Sequence, residues 1–207
     1  MIKDEPIQQF LDELASKTPT PGGGSVAAIM GAMGAALLSM ACNLTIGKKN
    51  YEVVEGEMKA ILREAENLRG RLTDLVRADV EVFGQVMGAY GLPKETEGER
   101  DTRSLAIQEA LKAATDVPLE CAKACSEVVK LCKVVAERGN RNVVSDAGVA
   151  VTAAYAALRS AALNVHVNVG VIRDEAFVES RLNELAGILN GMEDLHEQIY
   201  EWVKARL

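Results

Sequence analysis

Aromatic side chains are scarce in this 207-residue chain, at 4% of the total, while hydrophobic residues overall reach 48%. A core built from that mixture is aliphatic and rich in small residues, and the length suffices for a sizeable one within a single domain spanning residues 1–207. Strict apolar/polar alternation never persists beyond a few residues, which removes a sheet from the expected fold. Basic stripes are also missing. Net charge is −7 and pI about 5.0, so nucleic acid is not an expected partner. The first residues, MIKDEPIQQF, carry charge where a secretory signal has its apolar segment, which makes the cytoplasm the expected location. There are two histidines, and His166 and His196 stand far from the cysteine row Cys121, Cys125 and Cys132. That row lies along one helical face but lacks the paired short spacings of zinc sites, so buried small hydrophobes are the better reading. No His-Glu-x-x-His, nucleophile elbow, dinucleotide fingerprint or Walker loop occurs.

Charge is missing altogether from residues 18–47, TPTPGGGSVAAIMGAMGAALLSMACNLTIG. The prolines and three glycines predict a loop over Thr18–Gly24, with glycines taking backbone angles that other residues avoid. A helix over Ser25–Ile46 follows, with Ser25 as N-cap and Gly47 as its end. Being apolar on all sides, this helix needs a full surround, either lipid or other helices. Its many small residues and the amphipathic remainder of the chain favour a helical core over a membrane span.

The remaining pattern is helical throughout. Asp4–Lys17 reads as a short amphipathic helix, and Glu52–Tyr90 as a long one with a seam at Val54, Met58, Ile61, Ala65, Leu68, Leu72, Leu75, Val82, Val86 and Ala89. Gly91–Glu99 reads as an acidic loop and Arg100–Asp116 as a helix that Pro118 interrupts. A helix over 118–138 ends at Gly139. A polar turn at 140–146, capped by Asn142 or Ser145, leads into a second nearly uncharged helix to Val171, and Asp174–Leu207 is the last. The predicted fold is all-α, a compact multi-helix bundle with two nearly uncharged central helices.

Asp79 stands on the seam where an apolar residue belongs. A dry, unpaired, ionised carboxylate there would cost several kcal/mol. It therefore pairs with a cation of a neighbouring helix, or it is an acid/base facing a cavity. A one-residue drift of the seam onto Val76, Phe83 and Tyr90 would instead move it towards the rim. The glycine loop is either a tight turn or an anion-binding edge at a helix N-terminus. Asp146 caps its helix or reaches a ligand. Asn164 and Asn168 form a polar pair on an apolar rod, about 27 Å from Asp146 along that helix at 1.5 Å per residue. Asp146 and Asn164 can share a pocket only between subunits.

Several blocks occur in fixed order: PTPGGGSVAA (19–28), LTIGKKNYE (44–52), ADVEVF (78–83), ATDVPLE (114–120), GNRNVVSDAGVA (139–150) and NVHVNV (164–169). Together they resemble the cyclodeaminase/cyclohydrolase family of folate enzymes, over nearly the whole chain. Nothing resembles a formiminotransferase domain. The resemblance implies an all-helical homodimer that binds a tetrahydrofolate derivative as substrate in a cleft, without metal or other cofactor. It implies that Asp79 is the proton carrier, although Val82 stands where the family's block commonly has Ala. By the same resemblance Lys48, Lys49 and Tyr51 line the cleft or meet folate carboxylates. The amides of Gly22, Gly23, Gly24 and Ser25 form an anion-binding edge, and Asn140, Asn142 and Asp146 hold the pterin or shape its pocket. The implied reaction is cyclodeamination of 5-formiminotetrahydrofolate or hydrolysis of 5,10-methenyltetrahydrofolate. A non-catalytic helical dimer that binds a ligand or protein is the alternative.

Overall fold

The computed structural model describes residues 6–207 as seven α-helices: α1 (Ile7–Leu14), α2 (Gly23–Asn43), α3 (Glu55–Tyr90), α4 (Glu97–Arg138), α5 (Val144–Val169), α6 (Glu175–Leu189) and α7 (Met192–Lys204). Short 3-10 turns precede α3 and α5, and there is no strand among the described residues. The start of the predicted first helix, Asp4 and Glu5, lies outside the described residues. What is described of it buries no residue, so its apolar side is not the core-facing stripe that its pattern suggests.

Helix α2 forms the axis of the bundle. Its bare Cα positions let three neighbours approach: a Cβ on Gly24 would meet Asp79 of α3, one on Gly31 would meet Cys125 of α4, and one on Gly34 would meet Ala150 and Ala154 of α5. Core residues from α2, α3, α4, α5, α6 and α7 form one cluster around it, with Leu38, Met58, Leu68, Leu72, Val128 and Leu158 fully enclosed. All four cysteines are buried free thiols. Burial pushes Cys42 up to about 11, and Cys132 is raised by burial and by the nearby Cys42. Cys42 and Cys132 stay protonated at neutral pH, and the buried thiols act as small apolar packing units.

Two glycines separate packing from propensity. The Cβ of Gly34→Ala would sit 2.9 Å from the Ala150 carbonyl oxygen and 3.2 Å from Ala154 Cβ and N. Forcing α2 from α5 costs about 1–3 kcal/mol, more than the roughly 1 kcal/mol that Ala gains over Gly in a helix. Gly70, in mid-α3, has nothing within 4 Å of such a Cβ. Thermal unfolding should therefore show Gly34→Ala melting lower than wild type and Gly70→Ala melting a few degrees higher.

Pro118 does not interrupt its helix. Helix α4 runs unbroken from Glu97 through Pro118 to Arg138. The carbonyl that Pro118 leaves without a partner, that of Ala114, accepts instead from Asn168 Nδ2 of α5 at 2.7 Å. With that acceptor satisfied, one cost of proline in a helix interior, the unpaired carbonyl, is removed. The helix also starts earlier than predicted, because Thr96 and Glu99 form a capping box inside the segment read as a loop. The last predicted helix is two, broken at Gly191 with φ +72°. Gly47 takes the left-handed backbone expected of a helix end, but only after a turn that follows Asn43.

The two uncharged helices are not surrounded. Both are long and apolar enough to cross a membrane by length and composition, and about half of each is packed inside the bundle. The rest of each is half-buried or exposed. Met33 is 58% exposed on α2, and Leu163 and Val167 are 67% and 71% exposed on α5. The all-α bundle built on two nearly uncharged helices is as expected, but the full surround expected of α2 is not supplied by its own chain.

Candidate active site

The seam on α3 continues from Met58 to Leu72 as predicted, then turns so that Val76 is buried. Leu75 and Asp79 are left half-buried at the edge of the core. Asp79 finds no cation among the described residues. Its partner is a hydroxyl: Ser25 Oγ donates to Asp79 Oδ2 at 2.7 Å. Ser25 is therefore not the N-cap. Gly22 caps α2 with extended backbone and no side-chain bond, and Ser25 lies inside the first turn, fully buried.

None of Gly22, Gly23 and Gly24 has a positive φ, so the loop does not use their left-handed freedom. It needs space at one of them. A Cβ on Gly24 would lie 2.0 Å from Asp79 Oδ1 and 2.6 Å from its Cγ. The carboxylate rests directly on that bare Cα. At the neighbouring Gly23, the side-chain amide of Asn164 lies 3.7 Å from where a Cβ would stand. Asn164 holds its place by donating from Nδ2 to the Ser160 carbonyl. The amides at the start of α2 point out of the helix without ladder partners, and such an end favours negative charge.

Around Asp79, the side chains of Leu75, Val117, Pro118, Cys121 and Ala161 close a crevice with Gly24, Ala27 and Ala28. Its free volume of about 10 Å³ is at the threshold for a single water. A pterin does not fit inside it, so any substrate meets Asp79 from its outer, open side.

The other predicted residues gather at the opposite end of α2. Lys48 and Lys49 are exposed there, and the half-buried Tyr51 accepts through its hydroxyl from the Arg141 amide at 3.0 Å. Asn140 is a clamp. Its backbone amide donates to Thr45 Oγ1, its Nδ2 donates to the Leu44 carbonyl and its Oδ1 accepts from the Asn142 amide. Both ends of its side chain are spent within the protein, which suits shaping a pocket more than holding a ligand. Asp146 sits half-buried in the first turn of α5, whose N-cap is Val143 with no side-chain bond, so it caps nothing. Asn142 and Ser145 do not cap α5 either. A polar hollow of about 320 Å³ opens beside Tyr51, walled by Arg138, Arg141, Trp202 and Arg206.

The predicted site residues thus form two groups. Gly22, Gly23, Gly24, Ser25 and Asp79 meet at the start of α2. Lys48, Lys49, Tyr51, Asn140, Asn142 and Asp146 meet at its end. The helix of 21 residues between them is about 30 Å long at 1.5 Å per residue. Asn164 belongs with the glycine end, beside Gly23. Among the described residues, no three His, Cys, Asp or Glu side chains stand close enough to hold a metal ion.

The sequence profile of the family described as formiminotransferase-cyclodeaminase matches residues 6–187. A methenyltetrahydrofolate cyclohydrolase of Methylorubrum extorquens is 59% identical over 207 residues, covering 100% of both chains. The formimidoyltransferase-cyclodeaminase of Rattus norvegicus is 34% identical over 188 residues, which is 91% of this chain but 35% of the rat protein. The crystal structure of a formiminotetrahydrofolate cyclodeaminase from Thermotoga maritima superposes with a TM-score of 0.84 at 36% identity, covering 100% of this chain and 98% of the other. The chain thus spans the whole of its bacterial relative and about a third of the rat one. With profile, full-length relative and superposed fold all in agreement, the chain belongs to the formiminotransferase-cyclodeaminase family.

Proposed function

We propose that this folate one-carbon enzyme hydrolyses 5,10-methenyltetrahydrofolate, with Asp79 as its proton carrier. The observation that carries the reading is the carboxylate of Asp79, uncoupled from any described cation and seated on Gly24 at the mouth of a crevice. Full-length identity of 59% to a cyclohydrolase favours hydrolysis over deamination.

The chemistry asks for one group that takes and returns a proton. Water attacks the carbon between N5 and N10, and its proton passes to Asp79. The bond from that carbon to N5 then breaks as N5 receives the proton. The remaining hydroxyl proton goes to solvent, which leaves 10-formyltetrahydrofolate. A positioned carboxylate in such a step contributes about 10²–10⁴-fold. In the deamination direction the same group would move a proton from N10 to the departing ammonia, and the solved cyclodeaminase relative keeps that second reading in view.

The working unit in this proposal is a homodimer. Two groups about 30 Å apart on one helix cannot touch one substrate. Two copies paired through the open faces of α2 and α5, with their α2 helices antiparallel, would set the glycine end of one chain against the lysine end of the other. Lys48, Lys49 and Tyr51 would then meet a folate bound over the partner's carboxylate. The open faces are apolar enough to favour such burial.

The activity test is loss of the methenyl absorbance with purified protein, run beside ammonia release from 5-formiminotetrahydrofolate. Hydrolysis above the buffer rate is expected; no acceleration in either assay would favour a non-catalytic scaffold. Met33, at the midpoint of α2, tests the dimer. An exposed residue changed on a free surface shifts stability by only about ±0.5 kcal/mol. Met33→Glu is therefore expected to keep its helix content while sedimenting as a monomer without most of its turnover. A fully active monomer would refute the shared site.

A further inference from the structure

We propose that Ser25 is a positioning residue: it holds Oδ2 of Asp79 and so reserves Oδ1 for proton exchange with the substrate. The proposal rests on the reading of Asp79 above.

The hydroxyl is unusual in where it spends its one proton. Helical Ser and Thr side chains commonly donate back to the carbonyl four residues earlier. Thr73, Thr115, Thr152 and Ser160 of this chain all do so, to Arg69, Leu111, Gly148 and Ala156. Ser25 lies in the first turn of α2, where the carbonyl four residues back belongs to Pro21, outside the helix. Its proton goes to Asp79 on another helix, at 2.7 Å.

Geometry then divides the two carboxylate oxygens. Oδ2 is occupied by the serine. Oδ1 lies over the bare Cα of Gly24, and no hydrogen bond from a described residue reaches it. Two successive residues of α2 thus hold the carboxylate, one with a hydroxyl and one with empty space. Ser25 itself is 0% exposed. It therefore acts through Asp79 and makes no contact with a ligand in the cleft.

A residue that only orients the base should change turnover and leave binding alone. The experiment measures kcat and KM for 5,10-methenyltetrahydrofolate with wild type, Ser25→Ala, Asp79→Asn and the double variant, with circular dichroism to verify folding. Ser25→Ala removes one oxygen and leaves a good helix former. It is expected to lower kcat by about 10- to 100-fold, the scale of a misplaced catalytic group, with KM within about two-fold. In single-turnover reactions with enzyme in excess, it should cost nothing further once Asp79 is Asn, because the hydroxyl then has no base to orient. Ser25→Thr, which keeps the hydroxyl, should recover part of the rate.

A KM effect at constant kcat would place the hydroxyl on the substrate and overturn the proposal. So would an equal loss in the Asp79→Asn background. An inactive Asp79→Asn beside a fully active Ser25→Ala overturns the role of Ser25 alone, whereas a fully active Asp79→Asn overturns the reading of Asp79 itself.

Discussion

Gly24→Ala should lose most of its turnover while keeping its helices. The added methyl carbon would lie 2.0 Å from Asp79 Oδ1 and 2.6 Å from Cγ, closer than real Cβ atoms approach, and 3.0 Å from Oδ2. Asp79 has only two side-chain torsions, so its carboxylate must rotate or carry α3 with it, and either movement is expected to disturb the 2.7 Å bond from Ser25. A displacement of about 1 Å at a catalytic group costs on the order of 10²-fold in rate. The helix itself gains from alanine, and α2 retains its other neighbours, so far-ultraviolet circular dichroism should be unchanged. Neither Gly22 nor Gly23 carries a comparable clash, since the nearest atoms to a Cβ there are 3.6 and 3.7 Å away. A Gly24→Ala enzyme with wild-type kcat would mean that the carboxylate is not held where the chemistry needs it.

The same glycine shows how the sequence was informative and where it misled. A charge-free run after PTPGGGS marked the helix around which the others pack. The seam of α3 isolated Asp79 because a heptad of aliphatic residues has no place for an acid. Both are local patterns of period and polarity, and those survive folding. The role of the glycines did not follow from local pattern. Their backbone freedom was the obvious reason for them, whereas Gly24 is required by a carboxylate 55 positions away.

Other departures share that cause. Pro118 reads as a helix breaker until Asn168, on α5, is seen to satisfy the orphaned Ala114 carbonyl. Ser25 reads as a cap until Asp79 is seen to accept its proton. Asn164 reads as a polar residue on an apolar rod, and only the packing of α5 against α2 shows that it lies by Gly23. The Thr96–Glu99 capping box is legible in the sequence, within a segment whose acidic charge reads as loop. The open faces of α2 and α5 were not legible, because composition does not distinguish a helix enclosed by its own chain from one left facing outward.

Asp79→Asn has the largest expected effect, and the reason is chemical. The amide has nearly the same shape and can still accept from Ser25 Oγ through its carbonyl oxygen, so the fold and the crevice should persist. What it cannot do at neutral pH is take a proton from water and hand it to N5. Removing a neutral core residue would confound stability with catalysis. This exchange alters little except proton affinity, at a position that is only half-buried.

The measurement is the single-turnover rate of methenyl loss with enzyme in excess, wild type against Asp79→Asn, together with circular dichroism and binding of unsubstituted tetrahydrofolate. The account predicts a fall of about 10²–10⁴-fold towards the buffer rate, with unchanged helix content and unchanged tetrahydrofolate affinity. An Asn variant that turns over as fast as the wild type would contradict it.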